Sequence, residues 1–223
     1  MTVRIRDNLA FCITANRAIF LDVEQGRYFA LPPASDAAFR SIANGDMPGR
    51  GASTDLESLA ASDVLSSNRD GQELWEACPS NEPVCADLSD RTERPSWSLC
   101  AAALFIELRA AQRVRKNRFH DLIVHLRSLP VVRPRVKAGS MTEICGALAG
   151  AFARTSLILP TKDRCLIRTL AFREMTATRG ISAKVVFGVS LDPFAAHCWV
   201  QSGDCVLNDR YERVRSFTPI LAV

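Results

Sequence analysis

CLIRTLAFREMTATRGISAKVVFGVSLDPFAAHCWVQSGDCVLND, residues 165–209, passes from a helical apolar period to a strand period at Gly180. Pro160-Thr161-Lys162-Asp163 ahead of it reads as a helix start, with Thr161 or Asp163 able to accept the free amide hydrogens. Leu166, Ile167, Leu170, Ala171 and Met175 supply the buried stripe of that helix, which Gly180 stops. Ile181–Ser190 then reads as a strand rich in β-branched and aromatic residues, Asp192-Pro193 as a turn, and Ala195–Gln201 and Cys205–Asp209 as two further strands. A helix followed by an antiparallel meander predicts an α+β domain.

Cys165, His197 and Asp209 occur in that order within this stretch. In the first turn of a helix, the dipole and the unpaired amides favour a thiolate over a thiol. If Ser202-Gly203-Asp204 form the hairpin loop, Gln201 faces Cys205 and His197 pairs with Asp209 on one face; a two-residue loop shifts that register by one. Under the three-residue reading, the carboxylate holds the imidazole in one tautomer while its other nitrogen takes a proton from Cys165. Singly, a buried cysteine or a structural strand histidine fits each pattern. Together the three residues point to a cysteine nucleophile, a base and its orienter, and so to a hydrolase or acyl transferase.

Upstream, Trp97, Ala101, Leu104, Leu108 and Ala111 recur at helical spacing and predict a helix over Trp97–Lys116. Phe119–Leu129 continues helically to Pro130, and Thr142, Ile144, Leu148 and Phe152 predict another helix to about Leu157. The stretch between Asn68 and Ser96 is dense in turn residues, which divides the chain into a domain over 1–70, a linker over 71–96 and a domain over 97–223. Before it, Phe11–Ala15, Ala18–Asp22 and Arg27–Ala30 read as three short strands, with turns at Asn16-Arg17 and Glu24-Gln25-Gly26. Ser35 reads as the cap of a helix bearing Phe39 and Ile42. A second helix is expected from Ser53 or Thr54, carrying Leu56, Leu59, Val64 and Leu65.

At 223 residues with 48% hydrophobic and 23% charged content, the chain has the composition of a globular protein. A net charge of +4 without aromatic-basic alternation speaks against nucleic acid as a partner. The apolar run Leu99–Ile106 is far short of the roughly 18 residues a membrane span needs, and no export signal is evident. Eight dispersed cysteines with no CxxC pair speak against a zinc site or redox dithiol. A cytoplasmic protein with reduced thiols, no metal and no cofactor is expected.

The succession FLDVEQGRYFAL (20–31), Pro32-Pro33, a helix and DLESLA (55–60) resembles the PqqD-like recognition domain of ribosomal peptide maturation, over about residues 8–67. That resemblance implies a winged-helix-type domain in which a leader peptide adds a strand beside Arg27, Tyr28, Phe29 and Ala30 and lies against a helix face with Leu56 and Leu59. Tyr28, Phe29, Leu56 and Leu59 could each equally serve the core.

Residues 97–217 resemble the transglutaminase-like cysteine peptidase of lasso-peptide biosynthesis. Cys-Leu-x-Arg, Arg-Gly-Ile, Phe-Gly-Val, Pro-Phe, Ala-His-x-Trp-Val and Val-Leu-Asn-Asp recur in the family's order, with Cys198 where a small residue is common. The resemblance implies a papain-like protease domain with Cys165, His197 and Asp209 as catalytic residues. It implies cleavage of a precursor's leader from its core, with the precursor and an asparagine-synthetase-like cyclase as partners. True transglutamination and a non-catalytic role presenting the precursor to the cyclase stay open.

Overall fold

Two apolar runs, Leu9–Thr14 and Arg17–Asp22, close a hairpin at Ala15-Asn16, where both residues take positive φ (45° and 60°). Such a turn matches the twist of the strands it joins. It falls one residue before the expected Asn16-Arg17 because Arg17 already pairs with Thr14. The computed structural model describes residues 2–43, 64–68, 84–88, 94–129, 138–159 and 164–223. The chain forms two units, Met1–Pro79 and Ser80–Val223.

The first unit contains β1 (Thr2–Ile5), β2 (Leu9–Thr14), β3 (Arg17–Asp22), β4 (Arg27–Ala30), α1 (Pro33–Ala43) and β5 (Leu65–Asn68). β2, β3 and β4 make an antiparallel sheet in that order, and β1 pairs antiparallel with β5. Phe39 of α1 meets Phe11 and Phe20 edge-on, with ring centroids 5.0 and 4.8 Å apart, over a core completed by Ala18, Leu31 and Val64. Val64 and Leu65 are not helical as expected: Leu65 opens β5, and the Val64 carbonyl accepts the Arg6 amide at 2.9 Å. Main-chain pairing with β1 decides their conformation. Leu56 and Leu59 lie outside the described residues.

α1 starts at Pro33, two residues before the expected cap at Ser35. Proline suits a first helical position because its missing N–H would have no partner there. Asp36 in that first turn is 4% exposed. Its Oδ1 accepts the Ala18 amide at 2.8 Å and its Oδ2 the Arg40 Nε at 3.0 Å, while Arg40 reaches the Asn16 Oδ1 at 2.7 Å. Helix and hairpin are thereby pinned together. The Asp22 carboxyl, opposed by burial but receiving the Gln25 amide and the Arg6 guanidinium, is held below the usual carboxylate range.

The second unit has a sheet of order β10-β7-β8-β9-β6, in which β6 is Ala86–Asp87, β7 Lys184–Ser190, β8 Ala195–Ser202, β9 Cys205–Val206 and β10 Thr218–Ala222. Its helices are α2 (Trp97–Lys116), α3 (Phe119–Ser128), α4 (Ala138–Thr155), α5 (Cys165–Thr178) and the single turn α6 (Tyr211–Val214). Within the stretch read as a linker, β6 pairs in parallel with β9, Ala86 with Cys205 and Asp87 with Val206.

α2 has the expected bounds, capped by the Ser96 Oγ accepting the Leu99 amide. Its buried face is a different one from the expected stripe: Ala103, Glu107 and Ala110 are buried, while Trp97 is 84% and Leu108 49% exposed. Ala103 and Ala110 let α5 come close, with Glu107 buried between them. From Thr169 onward α5 is buried on nearly every side, whereas Leu166 and Ile167, expected in its buried stripe, are only half-buried. Glu174 of α5 takes both Arg113 of α2 and, at 3.0 Å, the His125 Nε2 of α3 on one carboxylate oxygen. No helix among the described residues is long and apolar enough to cross a membrane.

Asp36→Ala removes two hydrogen bonds made by a buried carboxylate and is expected to destabilise the first unit by about 2 kcal/mol, read from chemical denaturation. An unchanged unfolding midpoint would remove Asp36 from the forces holding α1 to the hairpin.

Candidate active site

β9 is only two residues long, and this shortness builds the site. The hairpin loop has two residues, Gly203 and Asp204, because Ser202 pairs with Cys205 and Gln201 with Val206. Gly203 supplies the required positive φ of 57°. The three-residue loop is thereby overturned, and with it the direct cross-strand pairing of His197 with Asp209. Leu207 still donates to the Val200 carbonyl at 2.9 Å, but the next ladder bond goes to a side chain: the Val200 amide donates to the Asn208 Oδ1 at 2.7 Å. The chain then bends, and the Tyr211 amide, at the start of α6, donates to Asp87 Oδ2 at 2.5 Å.

That bend carries Asp209 to His197. The His197 Nε2 and the Asp209 Oδ2 are 2.5 Å apart, and the Asp209 Oδ1 accepts the Arg210 amide at 2.8 Å. Beyond the end of β9 the edge of β8 is open to the first turns of α5. Thr169 occupies it, its Oγ1 donating to the Cys198 carbonyl at 3.1 Å and accepting the Asn208 Nδ2 at 3.1 Å. Cys165 lies one turn before Thr169 on the same helix face. It meets His197 from β8, and since Nε2 is held by Asp209, Nδ1 is the ring nitrogen left for the sulfur.

The imidazole is 6% exposed, with Phe217 at 5.2 Å and Trp199 at 6.3 Å between ring centroids. Gly188 pairs with His197 across the β7–β8 ladder and leaves room for Trp199, since a Cβ at Gly188 would come within 2.8 Å of that ring. Trp199 Nε1 donates to the Gln201 Oε1 at 3.0 Å.

Hydrogen bonds from the Cys198 thiol and from His197, with the nearby imidazolium charge, outweigh burial and bring the Cys165 thiol down to about 4. Burial opposes a charged His197, but its bonds to Asp209 and Cys165 prevail and raise it above the ordinary imidazole value. Burial likewise opposes a charged Asp209, and the bond to His197 with the Arg210 amide lowers it. Between these limits the three groups form a thiolate, an imidazolium and a carboxylate. That set can attack an acyl carbon and protonate a departing amine.

The sequence pattern of the transglutaminase-like superfamily matches residues 104–222, more than half of the chain. The chain belongs to that superfamily. It is also 40% identical over 48 residues to the Microcin J25-processing protein McjB of Escherichia coli, a match that covers 22% of this chain and 23% of that protein. No solved structure matches.

Sequence reasoning singled out Cys165, His197 and Asp209, and the structure brings the three together. It missed Thr169, Asn208 and Gly188, and it gave no role to Asp87. Asn208-Asp209 directly after a short apolar strand was the available signal for Asn208, since such side chains replace ladder bonds where a strand ends. Arg27, Tyr28, Phe29 and Ala30 form β4, an edge of the three-stranded sheet among the described residues of the first unit. Arg27 and Ala30 are exposed, while Tyr28 and Phe29 are half-buried, Phe29 stacking on Phe20 at 5.2 Å.

Iodoacetamide labelling of Cys165 is expected to stay fast far below the ordinary thiol range and to fall only as the pH drops towards about 4. In His197→Ala the fall moves upward, because the thiolate loses its cationic partner. Labelling that tracks an ordinary cysteine in the unmutated protein would contradict the charge pair.

Proposed function

We propose that this protein is a cysteine peptidase that captures the leader region of a lasso-peptide precursor and cuts it from the core. The observation that carries the reading is the carboxylate-held imidazole beside a helix-start thiolate, within a transglutaminase-like domain. The partial likeness to a microcin-processing protein supports the substrate class.

Cys165 attacks the carbonyl carbon of the last leader residue, His197 gives its proton to the departing core amine, and water then hydrolyses the thioester. Asp209 keeps the imidazole oriented and offsets its charge. The Cys165 amide, at the start of α5, is the candidate donor to the developing oxyanion. No metal or cofactor enters any step.

The first unit serves as a PqqD-like recognition domain in this reading. β4 is an edge strand, and an extended leader can pair along it while Tyr28 and Phe29 offer partly exposed apolar surface. Leu56 and Leu59, the further leader contacts proposed with it, lie outside the described residues. The released core passes to an asparagine-synthetase-like cyclase.

Cys165→Ala is expected to bind precursor normally and release no leader, whereas removing residues 1–67 weakens capture and leaves slow cleavage of concentrated substrate. Binding is read by fluorescence polarisation of a labelled leader and cleavage by mass spectrometry. Full cleavage by Cys165→Ala would end the nucleophile assignment, and a crosslinked product in place of two fragments would indicate transglutamination. If Cys165→Ala and His197→Ala still supported maturation, the protein would be a presenting partner for the cyclase.

A further inference from the structure

Cys165 and His197 line a cleft of about 400 Å³, and this cleft shares Ser156, Arg168, Asn208 and Asp209 with a second cavity of about 460 Å³. Cys165, Arg168 and Phe172 stand three and seven residues apart on α5, so one helix face leads from the nucleophile into that cavity. At 1.5 Å of rise per residue the path is roughly 10 Å long. A side chain one or two residues from the attacked carbonyl spans it. The floor is apolar: Leu88, Phe172 and Leu207 line it and are all buried. Ala149 and Ala153, one turn apart on α4, leave the space open because their side chains are short.

Arg168 is the wall between the two spaces, and its guanidinium is held from several sides. Its Nη1 donates to the Ser156 Oγ at 3.0 Å and its Nη2 to the Phe152 carbonyl at 3.0 Å, while the buried Glu107 carboxylate lies 3.9 Å from Nε. The group also sits 5.9 Å over the Phe152 ring. A wall fixed in this way keeps the cavity open without a ligand. Arg210 adds a second guanidinium at the lining, and the one carboxylate there, Asp209, is already bonded to His197. Cationic side chains are therefore repelled.

We propose that this second cavity is the specificity subsite for an apolar side chain on the acyl side of the scissile bond, within the last two residues of the leader. The inference deepens the peptidase reading and rests on it. His197 has to reach the departing amine, yet His197 and its neighbours Ala196 and Cys198 line only the cleft at Cys165. The acyl portion, which stays on the sulfur, then extends along α5 past Arg168. Burying a branched or aromatic side chain against the apolar floor removes it from water and draws the carbonyl carbon towards Cys165.

The test alkylates Cys165 in the full chain with N-acetyl dipeptidyl chloromethyl ketones, which place side chains on the acyl side alone. The sulfur displaces chloride from the methylene carbon and forms a thioether, and the rate is read by peptide mass spectrometry. Either the leucyl-glycyl or the glycyl-leucyl reagent is expected to react at least about tenfold faster than the glycyl-glycyl one, and the faster of the two identifies the position. The lysyl counterpart of that reagent should gain nothing over glycyl-glycyl. Equal rates for leucyl and glycyl reagents, or an equal gain for lysyl, would overturn the proposal.

Ala149→Leu and Ala153→Leu fill the cavity from α4 and should bring the leucyl advantage below about threefold. Iodoacetamide, which has no side chain to place, should label Cys165 in both variants as in the unmutated protein. A leucyl advantage intact in both variants would put the preference elsewhere and end the assignment. The comparison of reagents on the unmutated protein requires no variant to fold. Failure to cut any precursor, with the leucyl preference kept, would sink the peptidase reading alone; cleavage without any side-chain preference would sink the subsite alone.

Discussion

The hydrogen bond from the Thr169 hydroxyl to the Cys198 carbonyl is the constraint on which the site depends. It exists because β9 stops after two residues and leaves the edge of β8 to a helix rather than to a neighbouring strand. A fully extended β9 would have closed that edge and kept the first turn of α5 away from His197. Asn208 serves both sides of the gap, taking the Val200 amide and donating to Thr169. Helix position and strand termination are thus settled by one small polar network. Buried networks of this kind hold a single geometry because each unmade bond would leave a desolvated polar group.

The same termination sets the electrostatics. Once the chain leaves the ladder at Asn208, Asp209 can turn towards His197, and the bond from its Oδ1 to the Arg210 amide fixes that turn. Asp87 anchors the far side of the bend through the Tyr211 amide. A short strand from the middle of the chain therefore steadies a carboxylate more than a hundred residues later. The imidazole between that carboxylate and the sulfur is nearly buried against Phe217 and Trp199, so each charge is felt more strongly than in water.

The transglutaminase-like match lies wholly within the second unit, which holds Cys165, His197 and Asp209. Among the described residues the three-stranded sheet of the first unit offers β4 as an edge, and its half-buried Phe29 packs against the core beneath. Asp36, by joining α1 to the hairpin, keeps that edge in place. Edge strands carry a risk of unintended pairing, and the exposed Arg27 at one end of β4 is a charge of the kind that limits it.

Local pattern in the sequence determined much of this protein. The bounds of α2, the stop of α5 near Gly180, the first three-stranded meander and the order of Cys165, His197 and Asp209 were all legible, because turn chemistry and apolar period act over a few residues. Other features were not. The buried face of α2 is the one with Ala103, Glu107 and Ala110, since close approach to α5 outweighs the hydrophobicity of Trp97 and Leu108. β6 arises in a turn-rich stretch because pairing with β9 needs backbone, not a side-chain pattern. The hairpin register depended on whether two residues or three close the loop, and tertiary structure decided it through the Asn208 side chain and the bend that follows. Residue types and their order fixed what chemistry was possible. Contacts between segments far apart in the chain decided which groups could touch, because no local period encodes where a strand must end.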